Sequence, residues 1–253
     1  MPSTATTTRT DPARSRWSAR IGRLGPALVA AILGFALLWL AVPRTVAAWA
    51  SIDAQPALEK LQSGKLPTDA ELSLGADGLR RAIGWVPSAR RLTDLALLEL
   101  EQALRLPADA PARAALLAQA ERDVVEGLAA NPVNGFAWLR LAVLRELRTA
   151  PPRQIAAALV QSLDMAPNMR KLWLPRAAMF LSYWAFLNED ERPSMRAQLR
   201  TIWVTDKALR IPLLQEADRQ GKTLLVVWAL GDDPEAFAEF QKLMASLPKP
   251  PTR

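Results

Sequence analysis

Residues 124–138 read VVEGLAANPVNGFAW, and residues 159–173 read LVQSLDMAPNMRKLW. Aligned at a spacing of 35 residues, they pair Val124 with Leu159, Gly127 with Ser162, Leu128 with Leu163, Pro132 with Pro167 and Trp138 with Trp173. A third copy of the first part ends at Pro87, with Leu79, Ala82 and Ile83 at the same offsets and Thr93 where the tryptophan would fall. Apolar and small residues three to five apart share one face of a helix. The small residue lets one helix backbone approach its neighbour. The aliphatics and the tryptophan fill the groove between consecutive hairpins, and proline stops one helix before the next begins. The expected unit is a helical hairpin stacked on its copy.

The rest of the body carries the same period. Leu92, Leu95, Leu98 and Gln102 mark one face, with Ala96, Glu99 and Ala103 beside it. Met195, Leu199, Ile202, Trp203 and Leu209 mark another helix, whose start at Asn188–Pro193 has capping residues and a proline in the first turn. The run Thr223–Leu230 (TLLVVWAL) suits a buried strand or a helix, and its helical neighbours favour helix. The fold class expected is therefore all-α.

This pattern resembles the tetratricopeptide repeat, a 34-residue helix–turn–helix unit. After Pro132, Trp138, Leu141 and Ala142 take the Trp, Leu and Gly places of its first helix, while Arg145 replaces an aromatic. Ala156, Leu159, Ser162 and Pro167 follow in the second helix, with one residue inserted. After Pro167, Trp173, Ala177 and Phe180 fit, but Arg176 stands where leucine is expected and Pro175 falls within the first helix. The unit ending at Pro132 keeps Ala120, Val124 and Gly127, and its first helix is displaced by the loop Leu106–Pro111. The likeness covers roughly residues 68–187. It implies a helical-hairpin solenoid, with ligands in the concave groove of the first helices. Carried over residue by residue, that groove holds Phe136, Leu139, Arg140 and Val143, then Lys171 and Leu174. The set of basic residues that clamps a peptide carboxylate in some members is missing.

The amino-terminal region reads differently. The chain's formal charge of +7 is unevenly placed, because residues 1–23 hold five arginines against Asp11. The remaining residues balance 27 basic against 24 acidic side chains, so nucleic-acid binding is not expected. Leu24–Val42 (LGPALVAAILGFALLWLAV) is uncharged. As a helix it spans about 28 Å, close to the ~30 Å hydrocarbon core of a bilayer. Arginines before it, only Arg44 soon after it, and Trp39 and Trp49 near its far end fit a single-pass signal anchor with a cytoplasmic amino terminus. The rival is a cleaved signal peptide, for which Ala48-Trp49-Ala50 offers a small-x-small site. Either reading sends the body out of the cytoplasm, which in a bacterium means an inner-membrane protein facing the periplasm. The expected layout is a disordered basic arm (1–23), the span (24–42), a connector (43–56), helical repeats (57–187), a helical cap (188–247) and a disordered tail (248–253).

The chain has no histidine and no cysteine. That removes imidazole acid–base catalysis, Ser–His and Cys–His nucleophiles, disulfides and thiolate metal sites. Gly221-Lys222-Thr223 lacks the earlier glycine of a phosphate loop, since Glu216 holds that place. Asp232–Asp233 and Glu189–Asp190–Glu191 precede helix starts and read as caps. Arg80–Arg81 and Arg90–Arg91 form the densest basic cluster of the body and read as a solvated helix face, with an anionic polymer or lipid headgroups as the alternative. Trp138, Trp173, Trp184 and Trp203 are expected to pack in the core; Trp85 and Trp228 complete a set that could otherwise grip sugar rings. No cofactor and no metal are expected.

These features predict a non-catalytic, membrane-anchored adaptor that docks protein partners of an envelope assembly. The layout also resembles the small single-span accessory proteins of bacterial exopolysaccharide synthesis and export, in which polysaccharide would be an indirect partner. Two alternatives stand beside it: an assembly factor like those of c-type cytochrome maturation, and a carbohydrate-binding or glycan-processing protein using carboxylates such as Glu99, Glu101 and Glu126.

Overall fold

The computed structural model describes residues 12–246, with side chains from residue 28 onward. Helix α1 spans Pro12–Ala50, and a short 3-10 turn over Ser51–Ala54 leads into α2 (Gln55–Gln62). Then follow α3 (Asp69–Trp85), α4 (Ala89–Arg105), α5 (Pro111–Ala130), α6 (Gly135–Leu147), α7 (Pro152–Met165) and α8 (Arg170–Tyr183). A second 3-10 turn, Trp184–Phe186, precedes α9 (Arg192–Thr205), α10 (Lys207–Arg219), α11 (Thr223–Leu230) and α12 (Pro234–Ser246). There is no strand among the described residues, and Thr223–Leu230 is helix.

The helix ends follow local chemistry. Thr68 and Glu71 form a reciprocal capping box on α3: Glu71 N–H donates to Thr68 Oγ1 at 3.2 Å, and Thr68 N–H donates to Glu71 Oε2 at 2.7 Å. Lys60 also bonds the Glu71 carboxylate, and these donors draw its pKa down to about 2. Ser88, Asn134 and Asp233 cap α4, α6 and α12, and proline opens α5, α7 and α9. Asp233 is thus a cap, as its sequence position suggested.

Three sequence expectations need correction. The predicted helix from Met195 to Leu209 is two helices, because Asp206 turns the backbone out at φ −132° and ψ 92° and accepts from Ala208 N–H at 3.1 Å. Leu209 belongs to α10. The 43–56 connector is itself mostly helical. Pro43 lies inside α1, where Arg44 Nη1 and Thr45 Oγ1 donate to the carbonyls of Leu40 and Ala41 at 2.7 and 3.0 Å, and Pro56 opens α2, where its missing N–H costs nothing. In the arm expected to be disordered, residues 12–23 continue α1, since extending an existing helix is far cheaper than nucleating one. Residues 1–11 and the tail 248–253 lie outside the described residues.

Along α1 the apolar side chains are uncovered: Leu33, Phe35, Leu38 and Trp39 are 59–72% exposed. This helix is long and apolar enough to cross a membrane. From Ala47 onward the chain turns inward, and Ala47, Ala54 and Ala57 are fully buried. Gly75 and Gly78 on α3 permit the join. A Cβ on Gly78 would sit 2.6 Å from Ala50 O, and one on Gly75 3.1 Å from Ala54 Cα.

From α3 to α9, each helix packs against its chain neighbours, and contacts also link α4 to α6, α6 to α8, α8 to α10 and α9 to α11. A small core joins α2, α3 and α4 through Leu58, Leu72, Leu79 and Leu98. A large one runs from Ala96 on α4 to Phe240 on α12. It passes residue 187 without interruption, so the region expected as a cap shares one core with the repeats.

Candidate functional site

The repeated positions lead to one recurring junction. Trp138 on α6 donates its indole N–H to the Pro132 carbonyl at 2.7 Å, and Trp173 on α8 donates to the Pro167 carbonyl at 3.1 Å. In both cases the bond closes the turn between one hairpin and the next. The helix before the turn offers a small residue at its close approach. A Cβ on Gly127 would meet Thr93 Cγ2 at 2.9 Å, while Ser162 is fully buried and donates to Gly135 O at 2.7 Å. Leu79, Ala82, Val124, Leu128, Leu141, Ala142, Leu159, Leu163, Ala177 and Phe180 are all buried, and Ile83 packs on the small core. Pro87 and Pro132 are exposed.

The expected groove residues divide. Phe136 and Lys171 are exposed on α6 and α8, and Val143 and Leu174 are half-buried against the large core. Leu139 is buried and belongs to that core, so it offers nothing to a partner. The Arg140 guanidinium points inward and bonds the Thr93 carbonyl on α4, and burial brings its pKa down to about 10 against the pull of Asp94 and Glu101. It ties α6 to α4.

A cleft of about 620 Å³ opens between α3 and α5 across α4. Ile83, Leu92, Leu95 and Leu116 form its apolar wall, and Glu99 and Asp123 lie among them. Glu99 is fully buried and accepts from Arg80 Nη2 at 2.9 Å, while Asp123 Oδ1 accepts from Gln119 Nε2 at 2.9 Å. Their other oxygens, Glu99 Oε2 and Asp123 Oδ2, are buried without a hydrogen-bond partner. Burial, outweighing Arg80, pushes Glu99 up to about 7, and burial also raises Asp123. A charge on Asp123 further disfavours a charge on Glu99. Glu99 therefore takes up a proton as the pH falls through about 7. Glu126 lines the same cleft, whereas Glu101 faces Arg140, so Glu99, Glu101 and Glu126 do not form one set.

Arg176 is a further buried charge. It fills the position where leucine was expected and has no carboxylate partner. Its Nη2 donates to the carbonyls of Ser162 and Ala166 at 2.9 and 3.2 Å, and Nη1 donates to Gln198 Oε1 at 2.8 Å. The carbonyls at the end of α7 supply the negative potential that a carboxylate would otherwise provide. Burial lowers its pKa to about 10. Sequence reasoning noticed Arg176 only as a departure and missed Asp123; a charge at apolar helical spacing was the available signal.

The paired arginines are mostly spent internally. Arg80 bonds Asp77 and Glu99, Arg81 bonds Asp53, and Arg91 bonds Ser51 Oγ and the Val86 carbonyl. Only Arg90 remains open, 84% exposed beside Asp94 at 3.6 Å. Among the tryptophans, Trp203 and Trp173 are buried, and Trp184 packs edge-on against Trp228 at 5.0 Å with Arg192 and Arg196 over their rings. Trp85 is 55% exposed. The chain matches no family model, no curated protein and no solved structure.

Proposed function

We propose that this chain is a non-catalytic scaffold, anchored in a bacterial inner membrane by α1 with its amino terminus cytoplasmic, whose periplasmic body docks protein partners of an envelope assembly. The observation that carries the reading is the recurrence of one junction: the same tryptophan, proline carbonyl and close-packed small residue 35 residues apart. Repetition of a packing unit builds surface without building a reaction centre. It supports a tetratricopeptide-like stack in which α4, α6, α8 and α10 are the first helices of successive hairpins, an order in keeping with the contacts between alternate helices. Phe136 and Lys171, exposed on neighbouring first helices, are the groove positions left for a partner helix or extended segment. An exopolysaccharide synthesis or export complex is the assembly that best suits a small single-span layout.

Photocrosslinking amino acids placed at Phe136 and Lys171 of the membrane-embedded chain test this. Discrete adducts of one mass at these positions, and none at the buried Leu139, are the expected result. Absence of protein adducts together with glycan binding by the purified chain would replace the scaffold with a carbohydrate-binding protein. A reporter fused after Arg253 should be active only outside the cytoplasm; cytoplasmic activity reverses the orientation.

A further inference from the structure

The height of α3 and α4 beside α1 places part of the body at the membrane surface. Gly78 lies against Ala50 and Gly75 against Ala54, so α3 runs antiparallel to the chain that emerges from α1. Trp85 lies seven residues beyond Gly78. At about 1.5 Å per residue it descends roughly 10 Å, to the level of Pro43, one residue past the apolar run. A second contact lies five to eight residues further along the chain than Pro43. Ser88, Arg90 and Arg91 at the start of α4 line one small cleft with Ala48 and Ser51, and Arg91 Nε donates to Ser51 Oγ at 3.1 Å. The α3–α4 turn therefore stands within about 10 Å of the end of the apolar run, at the outer edge of a headgroup layer roughly 5–8 Å thick on each side. Its exposed side chains suit that layer. Trp85 is 55% and Trp49 75% exposed, Arg90 is 84% exposed with Asp94 3.6 Å away as its one partner, and Arg44 is exposed. No acidic residue occurs between Leu24 and Ile52 or between Leu79 and Thr93.

We propose that the α3–α4 turn is a second membrane contact: Trp85 seats in the headgroup layer beside α1, and Arg90 with Arg44 faces anionic lipid. Indoles favour that layer, and cations near it are drawn to negative headgroups. The contact fixes how the body stands, with α3 beside the bilayer and the later helices extending away. The inference rests on α1 as a membrane span, and the test separates the two.

The chain lacks cysteine, so single nitroxide labels can be placed at Leu33→Cys, Trp85→Cys, Arg90→Cys and Leu66→Cys in the full chain. Leu66 is 81% exposed at the far end of α3 and serves as the aqueous reference. Collision accessibility to oxygen and to a water-soluble nickel complex is read in nanodiscs of phosphatidylcholine, alone or with one-quarter phosphatidylglycerol. The expected result is a deep label at 33, headgroup-depth labels at 85 and 90, and an aqueous label at 66. Labels at 85 and 90 as aqueous as 66, with 33 deep, overturn the second contact while leaving the anchor. An aqueous label at 33 overturns the anchor itself. Arg90→Glu should raise the nickel accessibility of the 85 label at least twofold in the anionic discs only. No change there removes the anionic-lipid part. Helix content and melting matched to the unlabelled chain verify that each variant is folded, and the 90 label stands in should Trp85→Cys unfold.

Discussion

Trp138 on α6 donates its indole N–H to the Pro132 carbonyl at 2.7 Å, fixing the first turn of one helix to the proline that ended the previous one. A carbonyl just past a helix end has no partner from the helix itself, and here a side chain six residues on supplies one. Trp138→Phe keeps the ring and removes the donor, so stability should fall by about 1 kcal/mol. Trp173→Phe should behave alike at its own junction with Pro167. Alanine separates the two sites: Trp173 is 5% exposed and its removal should cost about 3–5 kcal/mol, whereas half-buried Trp138 should cost less. Urea titration followed by circular dichroism measures all four variants.

The Glu99–Asp123 pair makes stability depend on pH near neutrality. Glu99 has an ordinary value of 4.5 and is raised to about 7 in the fold, so between these values the folded chain binds more protons than the unfolded chain. The contribution of Glu99 to stability is then full below about pH 4.5 and is lost as pH rises through 7. Arg80 from α3, with Gln119, Arg122 and Glu126 from α5, surrounds the pair. Glu99→Gln keeps an acceptor for Arg80 and offers N–H donors to Asp123. Its melting temperature should change less than the wild type's between pH 5 and 8 and exceed it at pH 8. A wild-type profile flat over that range would mean that Glu99 keeps an ordinary carboxyl pKa in the fold.

The helices were legible because their apolar period is strong, and Thr223–Leu230 was read correctly from its neighbours although its own pattern fits a strand as well. The small residues at Gly127 and Ser162 were legible for the same reason, since a repeat shows them twice. What escaped the sequence depends on partners far along the chain. Glu99 is stabilised by Arg80, 19 residues earlier, and Arg140 by the Thr93 carbonyl, 47 residues earlier. Periodicity reports which face is buried and says nothing of which charge finds an acceptor there. Asp206 escaped for a local reason: a single capping residue split a run whose apolar period continues across it. The groove inherited from the tetratricopeptide likeness lost Leu139 to burial and Arg140 to the Thr93 carbonyl, because α6 packs close to its neighbours.

Two glycines on α3 give opposite expectations. A Cβ on Gly78 would sit 2.6 Å from Ala50 O and 2.9 Å from Asp53 Cβ, so Gly78→Ala must push α3 away from the end of α1. That should cost about 1–3 kcal/mol despite the better helix propensity. Gly84 has nothing within 4 Å of the same position. Gly84→Ala should therefore gain roughly 0.5–1 kcal/mol from propensity alone. Thermal melting of the two variants in detergent compares them directly. A neutral Gly78→Ala would show that the α1–α3 contact is looser than its backbone approach implies.

Arg176 offers the sharpest test of how the large core is held. It is fully buried, and its donors serve Ser162 Oγ, the carbonyls of Ser162 and Ala166, and Gln198 Oε1. Methionine matches much of its length and is the kind of residue an apolar position would accept. If the site were merely a tolerated charge, Arg176→Met would be neutral or stabilising, as replacing a whole buried ionic group can be. Here only one side is replaced, and the carbonyls closing α7 and the Gln198 amide remain buried without a donor. Each such group costs about 1–3 kcal/mol, so Arg176→Met should lose at least 2 kcal/mol. Adding Gln198→Leu to Arg176→Met removes one stranded acceptor and should recover part of that loss. Urea midpoints of the wild type, both single variants and the double variant close the cycle, and a double variant no more stable than Arg176→Met would place the cost in the α7 carbonyls.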